Sequence, residues 1–232
     1  MIKAIVFDFD NTLMDFMKMK QTAVDAAVDA MIDAGLKISK EQLKDEIYKI
    51  YWKEGIEDQQ VFDKVIEKVL GKIDYKILAN GIIGYRRAKE GMMCLYPHVH
   101  LTLITLVKMG LKMAIISDAP RLPVWMRIVS LGLTNYFDFV LTFDDTGEHK
   151  PSSKPFKKIL ELLTTLPEQT LMVGDWLERD ILGAKNIGMK TVWAKYGNIF
   201  EKEQNNNINI NADYEISDII ELIDIIKKEN YE

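Results

Sequence analysis

The stretch IKAIVFDFDNTL, residues 2–13, decides the fold of this chain. Its first part, Ile2 to Phe7, is mostly apolar and predicts a strand buried in a sheet. Asp8 and Asp10 follow directly. Side chains alternate along a strand, so we expect both carboxylates on the same side, at the carboxyl end where open α/β sheets bind ligands. Two like charges this close repel each other unless a cation or a shared proton relieves them.

Composition limits the class of protein. The chain has 232 residues, of which 48% are hydrophobic, enough for one large domain with an insert. Its net charge of −5 and its scattered basic residues argue against a nucleic-acid partner. The single cysteine, Cys94, excludes an internal disulfide. With no charged leader and no apolar run of about 18 residues, we expect a cytoplasmic protein without a membrane partner. We expect a monomer or a homodimer.

Periodicity divides the remainder into an all-helical insert and an alternating region. Residues 15–94 show helical periodicity and almost no strand signal. From residue 95 onward, helices alternate with apolar strands, which predicts an α/β fold with a parallel sheet and helices on both faces. The expected helices are 16–34, a helix capped by Ser39 and Gln42 that runs to Trp52, 58–70, 74–90, 97–108, 121–131, 153–164, 179–187 and a final helix capped by Ser217. The further expected strands are 112–116, 139–142, 170–173 and 189–194, with an Asn-rich loop at 204–211.

Polar residues follow several of these strands. Ser117 ends the second strand, Lys150 precedes a helix, and Asp175 and Asp180 follow the strand at 170–173. Because all carboxyl ends of a parallel sheet lie on one side, these residues and the two acids of the first strand are predicted to form one pocket. The pocket suits phosphoryl transfer. A phosphate monoester is a dianion, so its charge must be neutralised before an anion can attack it, and Lys150, Ser117 and a metal can do so.

Four segments of the chain resemble, in order, the four motifs of the haloacid dehalogenase-like hydrolase superfamily. They are IVFDFDNTL (5–13), IISD (115–118), HKPSSKPF (149–156) and VGDWLERD (173–180). The helical insert lies between the first two, as in the subfamily I phosphatases. The resemblance implies a Rossmann-like core of residues 1–14 and 95–232, with residues 15–94 as a helical cap. The stretch SDAPRLPVWMRIVSLGL (117–133) with FDDTGEHKPSSKPF (143–156) further resembles an archaeal branch of glyceraldehyde 3-phosphate phosphatase-type proteins.

The resemblance implies a role for each motif residue. Asp8 would be the nucleophile, forming an aspartyl-phosphate that water later hydrolyses. Asp10 would protonate the leaving alcohol and then deprotonate the attacking water. Lys150 would pair with the phosphoryl group and hold Asp8 in place, and Ser117 would hydrogen-bond the phosphoryl oxygens.

Magnesium is the metal that the resemblance implies. Asp8, the backbone carbonyl of Asp10, and Asp175 would supply oxygen ligands, which this hard cation prefers. Asp180 would be a ligand or would orient a metal-bound water.

Some of these residues have simpler interpretations. The phosphate-binding set implied by the resemblance is Ser117, Asp118 and Lys150, yet a lone Asp after a strand is commonly a turn residue, and Ser117 could merely cap the turn. Lys154 also precedes a proline and competes with Lys150. Lys150 is preferred because its spacing to Phe156 matches the family motif Lys-Pro-x-x-x-x-Phe.

Taken together, the residues and the resemblance predict a magnesium-dependent phosphatase acting on a small phosphorylated metabolite, such as glyceraldehyde 3-phosphate or phosphoglycolate. A phosphomutase shares every motif. A dehalogenase is disfavoured because that branch lacks the acid at Asp10. A phospho-receiver domain, from a different class, also gathers acids, a Ser or Thr and a Lys at one sheet edge, but it has no helical insert after its first strand.

Overall fold

The computed structural model describes residues 1–198 and 210–231, and the predicted Asn-rich loop lies, except for its last two residues, outside them. Within the described residues the strands are β1 (Ala4–Phe7), β2 (Lys112–Ile116), β3 (Phe139–Leu141), β4 (Thr170–Gly174), β5 (Lys190–Ala194) and β6 (Tyr214–Ile216). The helices are α1 (Phe16–Asp33), α2 (Lys40–Glu54), α3 (Val61–Leu70), α4 (Tyr75–Gly91), α5 (Val99–Lys108), α6 (Arg121–Ser130), α7 (Phe143–Thr146), α8 (Ser153–Leu163), α9 (Leu182–Lys185) and α10 (Leu222–Tyr231). No described helix is long and apolar enough to cross a membrane.

The strands form one parallel sheet in the order β3-β2-β1-β4-β5-β6. β1 lies between β2 and β4, and its last residue, Phe7, is in register with Ile115 and Val173. The three strands therefore end at nearly the same height. The predicted parallel α/β sheet is confirmed, and it aligns the segments that follow these three strands.

Both faces of the central strand are covered. Ala4 and Val6 pack in a core cluster with Phe156 of α8 and with other apolar residues of the sheet and helices. The alternate residues, Ile5 and Phe7, are also fully buried, and alternation places them on the opposite face. A strand buried on both faces reads as a continuous apolar run, which is why β1 was visible in the sequence.

The chain divides into two compact units. One comprises Met1–Asp15 and Cys94–Glu232, and contains the sheet. The other, Phe16–Met93, contains α1 to α4 and is here called the helical unit. The helical unit has its own apolar core, with contributions from every one of its four helices: Val24, Ala27, Val28, Met31, Leu36, Leu43, Ile47, Tyr51, Val61, Phe62, Val65, Ile66, Ile77 and Leu78.

Close packing between α1 and α4 explains the two glycines in the middle of α4. A Cβ on Gly84 would lie 2.7 Å from the carbonyl oxygen of Ala26, and a Cβ on Gly81 would lie 2.7 Å from the side chain of Met31. Glycine weakens a helix interior by about 1 kcal/mol relative to alanine. Here it allows the two helices to approach closely.

Several element boundaries differ from the sequence prediction. α3 begins at Val61 and not at residue 58, because the Asp58 carboxylate accepts the Gln60 N–H in a turn. The helix expected at 179–187 is a π-helical turn, Leu177–Ile181, followed by the short α9. The cap expected at Ser217 is instead Asp218, whose side chain accepts the Ile220 N–H and caps the 3-10 turn Ile219–Glu221 that leads into α10.

Strand β6 was missed altogether. It has only three residues and pairs with β5, where Val192 is in register with Tyr214. The Asp213 carboxylate accepts hydrogen bonds from the N–H and the hydroxyl of Thr191, at 2.8 and 2.7 Å. A three-residue edge strand that is stabilised by residues distant in sequence shows little hydrophobic periodicity of its own.

Candidate active site

The Asp8 carboxylate lies where β1 ends and pairs with Lys150. Its backbone N–H continues the sheet by donating to the Val173 carbonyl at 2.8 Å. Lys150 Nζ lies 2.5 Å from Asp8 Oδ1 and also donates to the Ile116 carbonyl at 3.2 Å. Both side chains are buried. This pair joins the end of the central strand to the loop before α8, as the strand-edge argument predicted.

Asp180 shares the same ammonium group. Its Oδ1 is 2.7 Å from Lys150 Nζ, and its Oδ2 accepts the Trp176 N–H at 3.0 Å. The π-helical turn brings this side chain back over the end of β4, where a Cβ on Gly174 would lie 2.4 Å from the Asp180 Cγ. Gly174 therefore permits the close approach of Asp180 to the strand.

Asp175 completes a cluster of three carboxylates. It follows β4 directly, and oxygens of Asp8, Asp175 and Asp180 all lie within 4.8 Å of one another. The Thr12 hydroxyl bridges two of them, at 3.1 Å from Asp8 Oδ2 and 3.2 Å from Asp175 Oδ1. All three acids are buried.

The proximity of these acids changes their ionisation. Burial raises the pKa of Asp8 to about 6, with the Asp180 charge adding to the effect and Lys150 opposing it. Burial, together with the charges of Asp8 and Asp180, raises the pKa of Asp175 well above its ordinary value. Burial also disfavours the charged form of Lys150, but Asp180 and Asp8 outweigh it and raise the pKa of Lys150 well above its ordinary value. One ammonium is thus too little charge for three ionised carboxylates.

The cluster fits a divalent cation. With the three carboxylates ionised and Lys150 protonated, the group carries an excess of two negative charges, which a divalent ion would balance. Its donors are all carboxylate oxygens, which suit magnesium or calcium better than softer metals. Asp8, Asp175 and Asp180 are the side chains that could hold such an ion.

Ser117 and Asp118 form the turn after β2. The Ser117 N–H donates to the Leu141 carbonyl, and its Oγ accepts the Ala119 N–H at 3.2 Å, so it does cap this turn. That contact uses the hydroxyl oxygen as acceptor and not its proton. The Asp118 carboxylate accepts the Lys150 N–H at 2.9 Å and an Arg179 N–H at 3.3 Å. An anionic side chain repels a phosphate dianion, so the geometry favours the turn interpretation for Asp118 and not phosphate binding.

The Asp10 carboxylate does not join the cluster. β1 ends at Phe7, so strand alternation does not extend to Asp10, and the three carboxylates within 4.8 Å of one another are those of Asp8, Asp175 and Asp180. Both oxygens of Asp10 instead lie 2.5 Å from Arg127 Nη1 of α6. The backbone carbonyl of Asp10 could still bind a metal, as the resemblance implied. Its carboxylate would then be left for proton transfer.

Several residues that the sequence analysis missed support the segments that follow β1 and β4. The Tyr196 hydroxyl donates to the Thr12 carbonyl at 2.8 Å, and the Trp193 indole donates to the Asp175 carbonyl at 2.9 Å. A Cβ on Gly197 would lie 1.7 Å from the Asn11 carbonyl oxygen. The Arg127 position had one visible signal, a charged residue on the apolar face of a predicted helix between Val124 and Ile128. The others depend on tertiary contacts.

Comparison with known proteins identifies the family. Residues 5–194 match the family model described as haloacid dehalogenase-like hydrolase. The chain belongs to the haloacid dehalogenase-like hydrolases. This membership sets aside the phospho-receiver alternative and confirms the resemblance seen in the four motifs.

Relatives within the haloacid dehalogenase-like hydrolases cover nearly the whole chain. A glyceraldehyde 3-phosphate phosphatase of Methanocaldococcus jannaschii is 37% identical over 227 residues, covering 98% of each chain. The Pyrococcus furiosus protein of the same name is 34% identical over 229 residues, covering 99% of this chain and 95% of that one. A HAD phosphatase from Thermococcus onnurineus of known structure is 29% identical with a TM-score of 0.64, covering 97% of this chain and 98% of that one.

Proposed function

We propose that this chain is a magnesium-dependent phosphatase of small phosphorylated metabolites, with glyceraldehyde 3-phosphate as the first substrate to test. The observation that carries the proposal is the buried Asp8 carboxylate with Lys150 Nζ at 2.5 Å, within a cluster of three acids. The substrate comes from the names of the two relatives that align along almost the full chain.

In the first step, an Asp8 oxygen attacks phosphorus while the bond to the leaving alcohol breaks. Asp10 gives its proton to the departing oxygen, so the alcohol leaves neutral. Lys150 holds Asp8 in line and balances charge on the phosphoryl oxygens, and the Ser117 hydroxyl proton is directed at one of them.

In the second step, water hydrolyses the aspartyl-phosphate. Asp10, now a carboxylate, takes a proton from the water as its oxygen attacks phosphorus and the bond to Asp8 breaks. Inorganic phosphate leaves, Asp8 is a carboxylate again, and Asp10 has recovered its proton. One carboxyl thus acts as acid and then as base, consistent with its separation from the three clustered acids.

A magnesium ion would be held by Asp8, Asp175 and the backbone carbonyl of Asp10, with Asp180 beside it. When bound, the ion supplies positive charge that stabilises the anionic transition state. The protein itself holds three buried carboxylates close together beside a single lysine, and so provides the ligands for the ion.

We further propose that the helical unit serves as a cap. Its insertion supports this role, since the chain leaves the sheet-containing unit at Asp15, directly after the loop that carries Asp8 and Asp10. A cap that closes during the reaction would exclude water and select the substrate.

A metabolite screen tests the function. The purified protein is incubated with D-glyceraldehyde 3-phosphate, phosphoglycolate and other phosphate esters, with magnesium or with chelator. Free glyceraldehyde is measured together with phosphate, because triose phosphates also lose phosphate spontaneously by elimination. Many turnovers with magnesium, and none in the Asp8→Asn variant, are expected.

Other outcomes would contradict the proposal. A single stoichiometric phosphorylation, or no release from any ester, would overturn the phosphatase. Interconversion of sugar phosphates without net phosphate release would indicate a mutase.

A further inference from the structure

A buried arginine lies behind Asp10. Arg127 is on the inward face of α6 beside Val124 and Ile128, and its side chain is 1% exposed. Burying a guanidinium is costly unless it is paired and hydrogen-bonded. Neither the motifs nor the proposed reaction steps give this residue a purpose.

Its partner is the carboxylate proposed as acid and base. Arg127 Nη1 lies 2.5 Å from both Asp10 Oδ1 and Asp10 Oδ2. An Nη nitrogen carries two hydrogens, so it can donate one to each oxygen. The Asp10 side chain is 21% exposed and that of Arg127 is 1% exposed, so the arginine contacts the carboxylate from the buried side.

The location of α6 links this contact to the turn of Ser117 and Asp118. The turn of Ser117 and Asp118 leads through Ala119 to Pro120, the N-cap of α6. The segment that places Ser117 therefore also places Arg127. This ion pair joins α6 to the first motif, across 117 residues of sequence.

We propose that Arg127 is a positioning residue that holds the Asp10 carboxyl in the orientation from which it exchanges protons with the leaving alcohol and with water. This inference rests on the proposed function. Each carboxyl oxygen has two lone pairs, so one oxygen can carry the transferred proton while both still accept from Arg127. The orientation is then the same in the acid step and in the base step.

The rival interpretation is that the ion pair only stabilises the protein. The two interpretations differ in their dependence on the leaving group. A misplaced acid slows the departure of an alkoxide, which needs a proton, far more than that of p-nitrophenolate, which does not. A general loss of folded protein lowers both rates equally.

The test compares two substrates in matched variants. Arg127→Met removes the charge at similar length, Arg127→Lys retains a charge, and Arg121→Met is the control, since Arg121 lies on the same helix in an exposed pair with Asp145. kcat and KM are measured for glyceraldehyde 3-phosphate and p-nitrophenyl phosphate. Circular dichroism and Tm establish that each variant is folded.

We expect Arg127→Met to lower kcat/KM for glyceraldehyde 3-phosphate by roughly 10- to 100-fold, within the range of general acid catalysis, with most of the loss in kcat. The loss for p-nitrophenyl phosphate should be several-fold smaller, Arg127→Lys should recover part of the activity, and Arg121→Met should resemble the parent. On glyceraldehyde 3-phosphate, Arg127→Met should add little to the loss already caused by Asp10→Asn.

Equal losses of kcat/KM on both substrates, a loss in KM alone, or additive effects of Arg127→Met and Asp10→Asn would overturn the positioning role. A gain in kcat would also overturn it, because it would mean that the arginine restrains Asp10. Failure of the parent to turn over either ester would overturn the proposed function itself, and the role of Arg127 with it. If the parent hydrolyses the esters and Arg127→Met has the same kcat/KM as the parent, the role of Arg127 is wrong and the proposed function stands.

Discussion

At the scale of single residues, the site is a set of acids that share too little positive charge. Lys150 Nζ contacts the carboxylates of Asp8 and Asp180 directly. The Asp175 carboxylate is linked to Asp8 through the Thr12 hydroxyl. Its pKa is raised well above the ordinary value by burial and by the neighbouring carboxylates. A bound cation would therefore favour the ionised form of Asp175.

We predict that Asp175→Asn raises the magnesium concentration needed for half-maximal activity by roughly tenfold or more, since a neutral amide replaces an anionic ligand. The measurement is a magnesium titration of phosphate release at saturating substrate. Asp224→Asn is the matched control, because Asp224 is an exposed acid paired with Lys227. If the titrations of Asp175→Asn and the parent overlay, Asp175 does not bind the metal.

The strand-edge rule accounts for what the sequence predicted at this scale. Asp8, Ser117 and Asp175 follow neighbouring strands that end in register, so their convergence follows from a parallel sheet. Arg127 and Tyr196 reach the site through long side chains from elements whose orientation is fixed only by tertiary packing. The local sequence does not determine which residues the end of such a side chain contacts in the folded protein.

At the scale of elements, α4 shows how a poor helix sequence can be required by packing. Gly84 faces the backbone of α1, and Gly81 faces a flexible side chain of the same helix. Helix propensity alone would favour alanine at both positions by about 1 kcal/mol. Substitutions at these two positions therefore measure the effect of helix packing apart from that of helix propensity.

We predict that Gly84→Ala destabilises the protein by roughly 1–3 kcal/mol, because the new methyl overlaps the Ala26 carbonyl and the helices must separate. Gly81→Ala should cost less, since the new methyl meets the Met31 side chain and not the backbone of α1. Gly91→Ala, at the end of α4 with open space around its Cβ, should be neutral or slightly stabilising. Urea unfolding of the three variants gives the order, and Gly84→Ala at least as stable as Gly91→Ala would refute the packing argument.

Element types were predictable where the local signal was complete. The Ser39 and Gln42 capping box starts α2 as expected, and Gly71 ends α3. The π-helical turn at Leu177–Ile181 could not be predicted from the sequence. In this turn the Asp180 side chain lies over the end of β4 and contacts Lys150. That contact is a tertiary one, which helix periodicity does not encode.

At the scale of the whole molecule, the acid cluster links stability to pH and to metal. Asp8, Asp175 and Asp180 each have a raised pKa in the folded protein, caused first by burial. Above the ordinary pKa of Asp, the folded protein therefore binds more protons than the unfolded chain, and stability falls as pH rises. A cation in the cluster favours the ionised carboxylates and reverses this loss.

We predict that the chelator-treated protein has a lower Tm at about pH 7 than at about pH 5, and that magnesium raises the Tm more at the higher pH. Asp175→Asn should weaken both effects, because it removes one of the titrating acids. Differential scanning calorimetry in the presence and absence of magnesium measures them. A metal-free Tm that rises over this interval would contradict the electrostatic account of the cluster.

The proposed mechanism requires the Asp8 carboxylate to accept the phosphoryl group. Rapid acid quenching during turnover of glyceraldehyde 3-phosphate, followed by borohydride reduction and peptide mass spectrometry, tests it most directly, since reduction converts an aspartyl-phosphate into homoserine. We predict homoserine at position 8 in the parent and none in Asp8→Asn or in parent protein quenched without substrate. Steady release of phosphate with position 8 unmodified, or with the modification on another acid, would contradict the account.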